Sequence, residues 1–161
     1  MYTPFLKEHE EELIKIISTS VQETFHTYFN MDVGFQNLPV PYGKQKEPVI
    51  CEALVHNETV DGAVIVSFEK DTLIKLTQIV YPPELAASKE ALEGCAEEVA
   101  NIVGTRVKNY LNDYNLNLHM EVPKVLALYD PKNNFLHLSF SIINNSMMVD
   151  LILKKCNTPT N

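Results

Sequence analysis

Ser88-Lys89-Glu90-Ala91-Leu92-Glu93-Gly94-Cys95-Ala96-Glu97-Glu98-Val99-Ala100-Asn101-Ile102-Val103-Gly104-Thr105-Arg106-Val107-Lys108-Asn109-Tyr110 is the stretch that decides the fold. Advancing about 100° per residue from Leu92 puts Cys95, Ala96, Val99, Ile102, Val103, Val107 and Tyr110 within about 80° of it. They form one apolar stripe, on a helix predicted to run from Ser88 to about Tyr114. Ser88 caps it, although Ala91 in the third place makes this weaker than a capping box. A helix with one apolar stripe needs a second layer to cover that stripe. The opposite face carries Gly94, Glu98, Asn101, Thr105 and Lys108. Glu98 and Asn101 are therefore neighbours, one turn apart and pointing away from the core.

The segments on either side supply that second layer. Upstream, a helix from about Pro4 to about Asn30 carries Leu6, Leu13, Ile16, Ile17, Val21, Phe25 and Phe29 on one stripe, with Glu8 and Glu10 to Glu12 towards its positive end. The Pro-rich connection Leu38-Pro39-Val40-Pro41-Tyr42-Gly43 reads as irregular or as a sheet edge. Val49 to Val55 and Val60 to Phe68 read as strands, joined through Asn57-Glu58-Thr59 and Asp61-Gly62. The second is apolar on both faces, which predicts a central strand. A short helix over Asp71 to Val80, capped by Asp71, stops at Pro82-Pro83. Downstream, Asn117 to Val122, Val125 to Tyr129, Phe135 to Ile143 and Met147 to Leu153 read as strands, with turns at Asp130 to Asn134 and Asn144 to Ser146. The order gives an α+β fold: a largely antiparallel sheet with long helices packed on it. Residues 1–161 form a single domain, with 156–161 as a tail.

Composition narrows the function. The 161 residues suit one domain with a sizeable core. Thirteen Lys plus Arg against twenty-one Asp plus Glu give a net charge of −8, which disfavours nucleic acid and anionic membranes as partners. No apolar run reaches the roughly 20 residues that span a bilayer. The Met-Tyr-Thr-Pro start turns acidic at once and does not read as a signal peptide. Cys51, Cys95 and Cys156 are odd in number and widely spaced, as expected of reduced thiols in a cytoplasmic protein. Phe135 to Ile143 and Met147 to Leu153 would leave an apolar edge at the end of the sheet; pairing it across a two-fold axis would cover it, and a homodimer is expected.

Other chemistry has little support. The five His residues lack H-x-H, H-x-x-x-H or H-E-x-x-H spacing, and no metal or cofactor site is expected. His119 and Glu121 could share a metal at i, i+2 on a strand, but a surface pair is the simpler reading. No P-loop, G-x-G-x-x-G or G-x-S-x-G occurs. Cys95 lies on the apolar stripe and reads as packing rather than as a nucleophile.

Glu98 and Asn101 remain. With 15 Glu and 14 Asn in the chain, about one E-x-x-N is expected by chance, so the spacing alone also fits a solvated helix face. Asn is a poor mid-helix residue, and Gly94 and Gly104, each costing about 1 kcal/mol relative to Ala, bracket the pair. They would fit the close approach of another backbone; Gly104 fits helix–sheet packing equally well.

Glu98-Val99-Ala100-Asn101-Ile102-Val103-Gly104 resembles the E-x-x-N signature of the CheX/CheC chemotaxis phosphatases. Asp61-Gly62-Ala63-Val64-Ile65-Val66-Ser67-Phe68 is similar to the family's G-x-V-x-L-S-F strand before a short helix. The N-terminal Pro4-Phe5-Leu6 helix and the closing strand pair match in order, so the resemblance spans about Pro4 to about Lys155. One E-x-x-N is similar to CheX, whereas many CheC members carry two. Relatives often have an acidic residue before the signature, where this chain has Gly94-Cys95-Ala96-Glu97.

The resemblance implies hydrolysis of the aspartyl phosphate of a CheY-type response regulator, with Glu98 and Asn101 as catalytic residues. Asn101 would orient the attacking water and Glu98 would pair with the regulator's Lys. Gly94, Glu97, Thr105 and Lys108 would lie against the partner. The regulator would bring its own Mg²⁺, and no cofactor of the chain's own is implied. CheX-like proteins commonly dimerise. Flagellar-switch proteins share the fold, which keeps a non-catalytic scaffold as the alternative.

Overall fold

The computed structural model describes residues 3–36, 40–41, 43–131 and 135–155. The expected tail 156–161, Leu38, Pro39 and Tyr42 of the Pro-rich connection, and residues 132–134 of an expected turn lie outside the described residues.

The N-terminal helix forms in two pieces, α1 (Thr3–Glu8) and α2 (Glu10–Phe29), rather than as the single helix expected. The break falls at His9, with φ −102° and ψ 8°. Its ring turns into an aromatic cluster, 4.3 Å from both Phe5 and Tyr114, and Nδ1 lies 2.8 Å from the Tyr110 hydroxyl. α2 ends where expected: Asn30 takes the left-handed conformation, φ 50° and ψ 45°, that an Asn side chain tolerates after a helix.

β1 (Gly34–Gln36) has no counterpart among the expected strands. Next come β2 (Pro48–His56), β3 (Val60–Glu69) and α3 (Lys70–Val80). Asn57 shapes the β2–β3 turn, its Oδ1 accepting from the backbone N–H of Thr59 and of Val60, each at 2.7 Å. Asp61 and Gly62 belong to β3, not to the turn. The cap position of α3 is Glu69, with no side-chain cap bond, and Asp71 sits inside the first turn.

α4 (Lys89–Asn112) is the long helix. Ser88 is its cap, with Oγ accepting from the Ala91 N–H at 3.1 Å. The strand expected over Asn117 to Val122 shrinks to β4 (His119–Met120), and the next to β5 (Lys124–Leu126). Asn115 and Asn117 have positive φ, and the Asn112 side chain clamps Leu118 through both its N–H and its carbonyl, so the chain turns until residue 118. β6 (Leu136–Ile142) and β7 (Asn145–Lys155) close the sheet as a hairpin. Its turn falls on Ile143 and Asn144, both at positive φ, one residue earlier than expected.

The sheet is antiparallel and seven-stranded, in the order β1-β6-β7-β3-β2-β4, with β5 also on β2. β3 is central, as its two apolar faces predicted. One core joins Val64, Val66, Phe68, Val149 and Leu151 of the sheet to Leu13, Ile17 and Phe25 of α2, Leu73 and Leu76 of α3, and Val99, Val103 and Val107 of α4. On the other face Gln45 ties the connection before β2 to β3 and β7. Gln45 donates to the carbonyls of Ser67 and Ser146, each at 3.0 Å, and accepts from the Ser67 hydroxyl. Among the described residues β6 and β7 lie inside the sheet, so they do not form the apolar edge from which a homodimer was expected. The edge strands are β1 on one side and β4 with β5 on the other.

Candidate functional site

α4 lies across the helix-covered face of the sheet, with α2 and α3 beside it, and its buried side sets what its outer side presents. The buried residues include Leu92, Cys95, Ala96, Val99, Ala100, Val103, Gly104 and Val107. Gly104 is a packing residue: a Cβ there would come 2.9 Å from Met120 Sδ and 3.2 Å from Ala53 Cβ. The glycine lets the helix settle onto β2 and does not border the outer face.

Glu98 and Asn101 are both exposed, one turn apart on that outer side. Among the described residues neither side chain has a hydrogen-bond or ion-pair partner. Two polar side chains on a rigid helix, with no competing internal bonds, are available to something that arrives from outside. The helix is held beneath them by its core face and by the Arg106–Glu23 pair to α2.

The other four candidates do not share this face equally. Gly94 is half-buried and opens towards α3, where a Cβ would meet the Tyr81 hydroxyl at 3.4 Å, an ordinary contact. Glu97 is half-buried, and its carboxylate acts on Cys51 of β2, which places it on the sheet flank of the helix. Thr105 is half-buried, with Oγ1 3.9 Å from Met120 Sδ of β4. Lys108 is half-buried further along.

Beside Glu98 runs a groove of about 400 Å³. α2 contributes Thr24, Tyr28 and Phe29, α3 and its end contribute Val80 and Tyr81, and α4 contributes Gly94, Cys95, Glu98 and Val99. Sequence reading missed Tyr28, Val80 and Tyr81. Helical spacing hid Tyr28, which comes seven residues after Val21 and so reads as part of the α2 stripe; Ile79-Val80-Tyr81, with more apolar surface than the end of a short helix needs, was the available signal.

Cys95 forms part of the groove's wall and is buried. Burial first, and then the Glu98 carboxylate, push its thiol up to about 12, which favours the protonated form near neutrality. His56 and Glu121 pair at 3.0 Å at the β2–β4 edge. Among the described residues no group of three or more His, Cys, Asp or Glu side chains is placed to hold a metal ion. Nor, among them, is any helix long and apolar enough to cross a membrane.

Comparison of the chain with models of protein families and with curated proteins gives no match. Comparison with solved structures does. The chemotaxis protein CheX of Vibrio vulnificus superposes with a TM-score of 0.71 at 12% identity, over 89% of this chain and 99% of that one. The chain has a CheX/CheC-like fold. A CheC-like superfamily protein of Shewanella sp. PV-4 gives 0.71 at 17% identity, over 88% and 97%. The CheX–CheY–BeF₃–Mg²⁺ complex of Borrelia burgdorferi gives 0.70 at 14% identity, over 88% and 97%. The CheX/CheC-like resemblance read from short motifs thus holds at the level of the fold, and α4 is the helix on which that resemblance placed the E-x-x-N pair.

Proposed function

We propose that this chain accelerates hydrolysis of the aspartyl phosphate on a CheY-type response regulator by presenting Glu98 and Asn101 of α4 to the regulator's phosphoryl site. The observation that carries the reading is the exposure of both side chains, unbonded, on one outer turn of a helix buried along its other side. A similar fold in a CheX that is bound to CheY supports the choice of partner.

An acyl phosphate is already activated. The remaining task is to hold a water in line with phosphorus, and positioning with electrostatics is most of phosphoryl-transfer catalysis. The Asn101 amide accepts from that water through its oxygen and donates through its nitrogen. Water oxygen bonds to phosphorus, the bond from phosphorus to the aspartyl oxygen breaks, the aspartate leaves as a carboxylate, and both water protons leave with the inorganic phosphate as H₂PO₄⁻. Glu98 meets the regulator's Lys and seats the helix in the cleft. Mg²⁺ is the regulator's contribution. The chain works where response regulators do, in the cytoplasm.

The test is to mix the purified chain with a phosphorylated CheY-type receiver domain and follow the loss of phosphate. Faster release supports catalysis. Binding without faster release would replace the proposal with a non-catalytic docking module of the same fold. Neither would overturn both.

A further inference from the structure

We infer that the groove between α2, α3 and α4 is the specificity pocket of this interface, and that it takes an apolar side chain standing beside the partner's cation. The inference rests on the proposed function, because it names what else the same partner must present.

Glu98 is the reason the two surfaces cannot be separated. It projects from α4 as half of the polar pair, and it also lines the groove. A cleft that closes over its carboxylate also covers the groove's mouth. The groove is open rather than self-filled: Tyr28 is 47% exposed and Val80 44% exposed, although both are large and apolar and lie on different helices. Leaving them uncovered wastes burial that a partner recovers on docking. Their neighbours Phe29 and Tyr81 add two aromatic walls, the kind of surface that anchors an inserted side chain at low entropic cost.

Charge selects the occupant. Among the described residues that line the groove, Glu98 alone carries an acidic or basic side chain, beside the Cys95 thiol and the aromatic walls. A lone anion beside an apolar slot matches a surface where an aliphatic or aromatic side chain neighbours a lysine or arginine. Gly94 sets the depth. Packing does not demand a glycine there, since a Cβ would stand at an ordinary 3.4 Å from the Tyr81 hydroxyl. What the missing side chain leaves is room in the groove.

The experiment uses the full chain and a CheY-type receiver domain, once phosphorylated for rates and once loaded with BeF₃⁻ and Mg²⁺ for binding. Gly94→Leu fills the groove with a better helix former, so the fold is retained, and thermal unfolding checks this. Val80→Asn removes apolar surface from the wall without adding charge. Leu128→Asn, at a residue 90% exposed outside the lining, is the control. The expected result is a rise in KM and in Kd of about ten-fold for Gly94→Leu and about five-fold for Val80→Asn, with kcat unchanged and Leu128→Asn silent. Wild-type activity with unaltered KM and Kd in both groove variants would overturn the pocket and leave the proposed function standing. Binding that the groove variants weaken, with no phosphate release even by the wild type, would support the pocket and remove catalysis. A wild type that neither binds nor dephosphorylates the receiver would overturn both.

Discussion

Gly94 and Gly104 share α4, and their surroundings in the fold separate their roles. Both bracket Glu98 and Asn101, and both cost helix propensity. Their surroundings differ: a Cβ on Gly94 reaches the Tyr81 hydroxyl at 3.4 Å, whereas on Gly104 it reaches Ala53 Cβ at 3.2 Å and Met120 Sδ at 2.9 Å. Gly94→Ala is expected to stabilise the fold by about 1 kcal/mol through propensity. Gly104→Val is expected to cost about 2 kcal/mol by forcing α4 off β2. Denaturant midpoints of the two variants check both signs. The buried thiols give a pH signature. Burial leads in raising Cys51 and Cys95 to about 12, followed by the carboxylates of Glu97 and Glu52 for Cys51 and of Glu98 for Cys95. An unfolded thiol ionises near pH 8.5, so from there to about 12 the unfolded chain holds fewer protons than the folded one, and stability falls as pH rises. Cys95→Ala should lessen that fall by up to about 1.4 kcal/mol per pH unit, read from unfolding curves at successive alkaline pH values.

The helices were legible because their signals are local: the Ser88 cap, the Asn30 stop, and stripes of apolar residues. The short strands were legible only in part: β4 and β5 were expected but with longer bounds, and β1 was missed, because such strands are defined by the partners they meet. Gly34 to Gln36 is a strand only because Ser139 to Ser141 lies opposite. The break at His9 is a tertiary effect too. Its ring is held by Phe5, Tyr110 and Tyr114, and this cluster ties the start of α2 to the end of α4. His9→Ala is expected to lose about 1–2 kcal/mol of stability, for one hydrogen bond and its ring contacts, with little effect on Glu98 and Asn101 at the middle of the helix. Thermal unfolding beside the phosphate-release rate separates the two effects.

Across the whole molecule, helices cover one face of the sheet, and a polar network helps to close the other. Asp150 of β7 is only 2% exposed, with His137 Nδ1 2.6 Å from one carboxylate oxygen and the Tyr129 hydroxyl donating to the other at 2.6 Å. His137 Nε2 reaches the Val40 carbonyl at 2.7 Å and fixes the connection ahead of β2. His137→Ala removes one partner from a buried carboxylate and is expected to cost about 3 kcal/mol, measured by denaturant unfolding. The order of elements revealed the α+β class, because helices and strands come in blocks. It did not reveal strand order, and so the closing hairpin was expected at an edge when it lies inside the sheet. The polar pair was legible from helical spacing. The groove beside it was not, since it joins three helices far apart in sequence. The most direct test of the central claim is the dephosphorylation rate of a phosphorylated CheY-type receiver with Asn101→Ala beside the wild type, together with each protein's affinity for the BeF₃⁻-loaded receiver. The acceleration is expected to fall about 100-fold or more while affinity stays close to that of the wild type. An Asn101→Ala protein that dephosphorylates the receiver as fast as the wild type would contradict it.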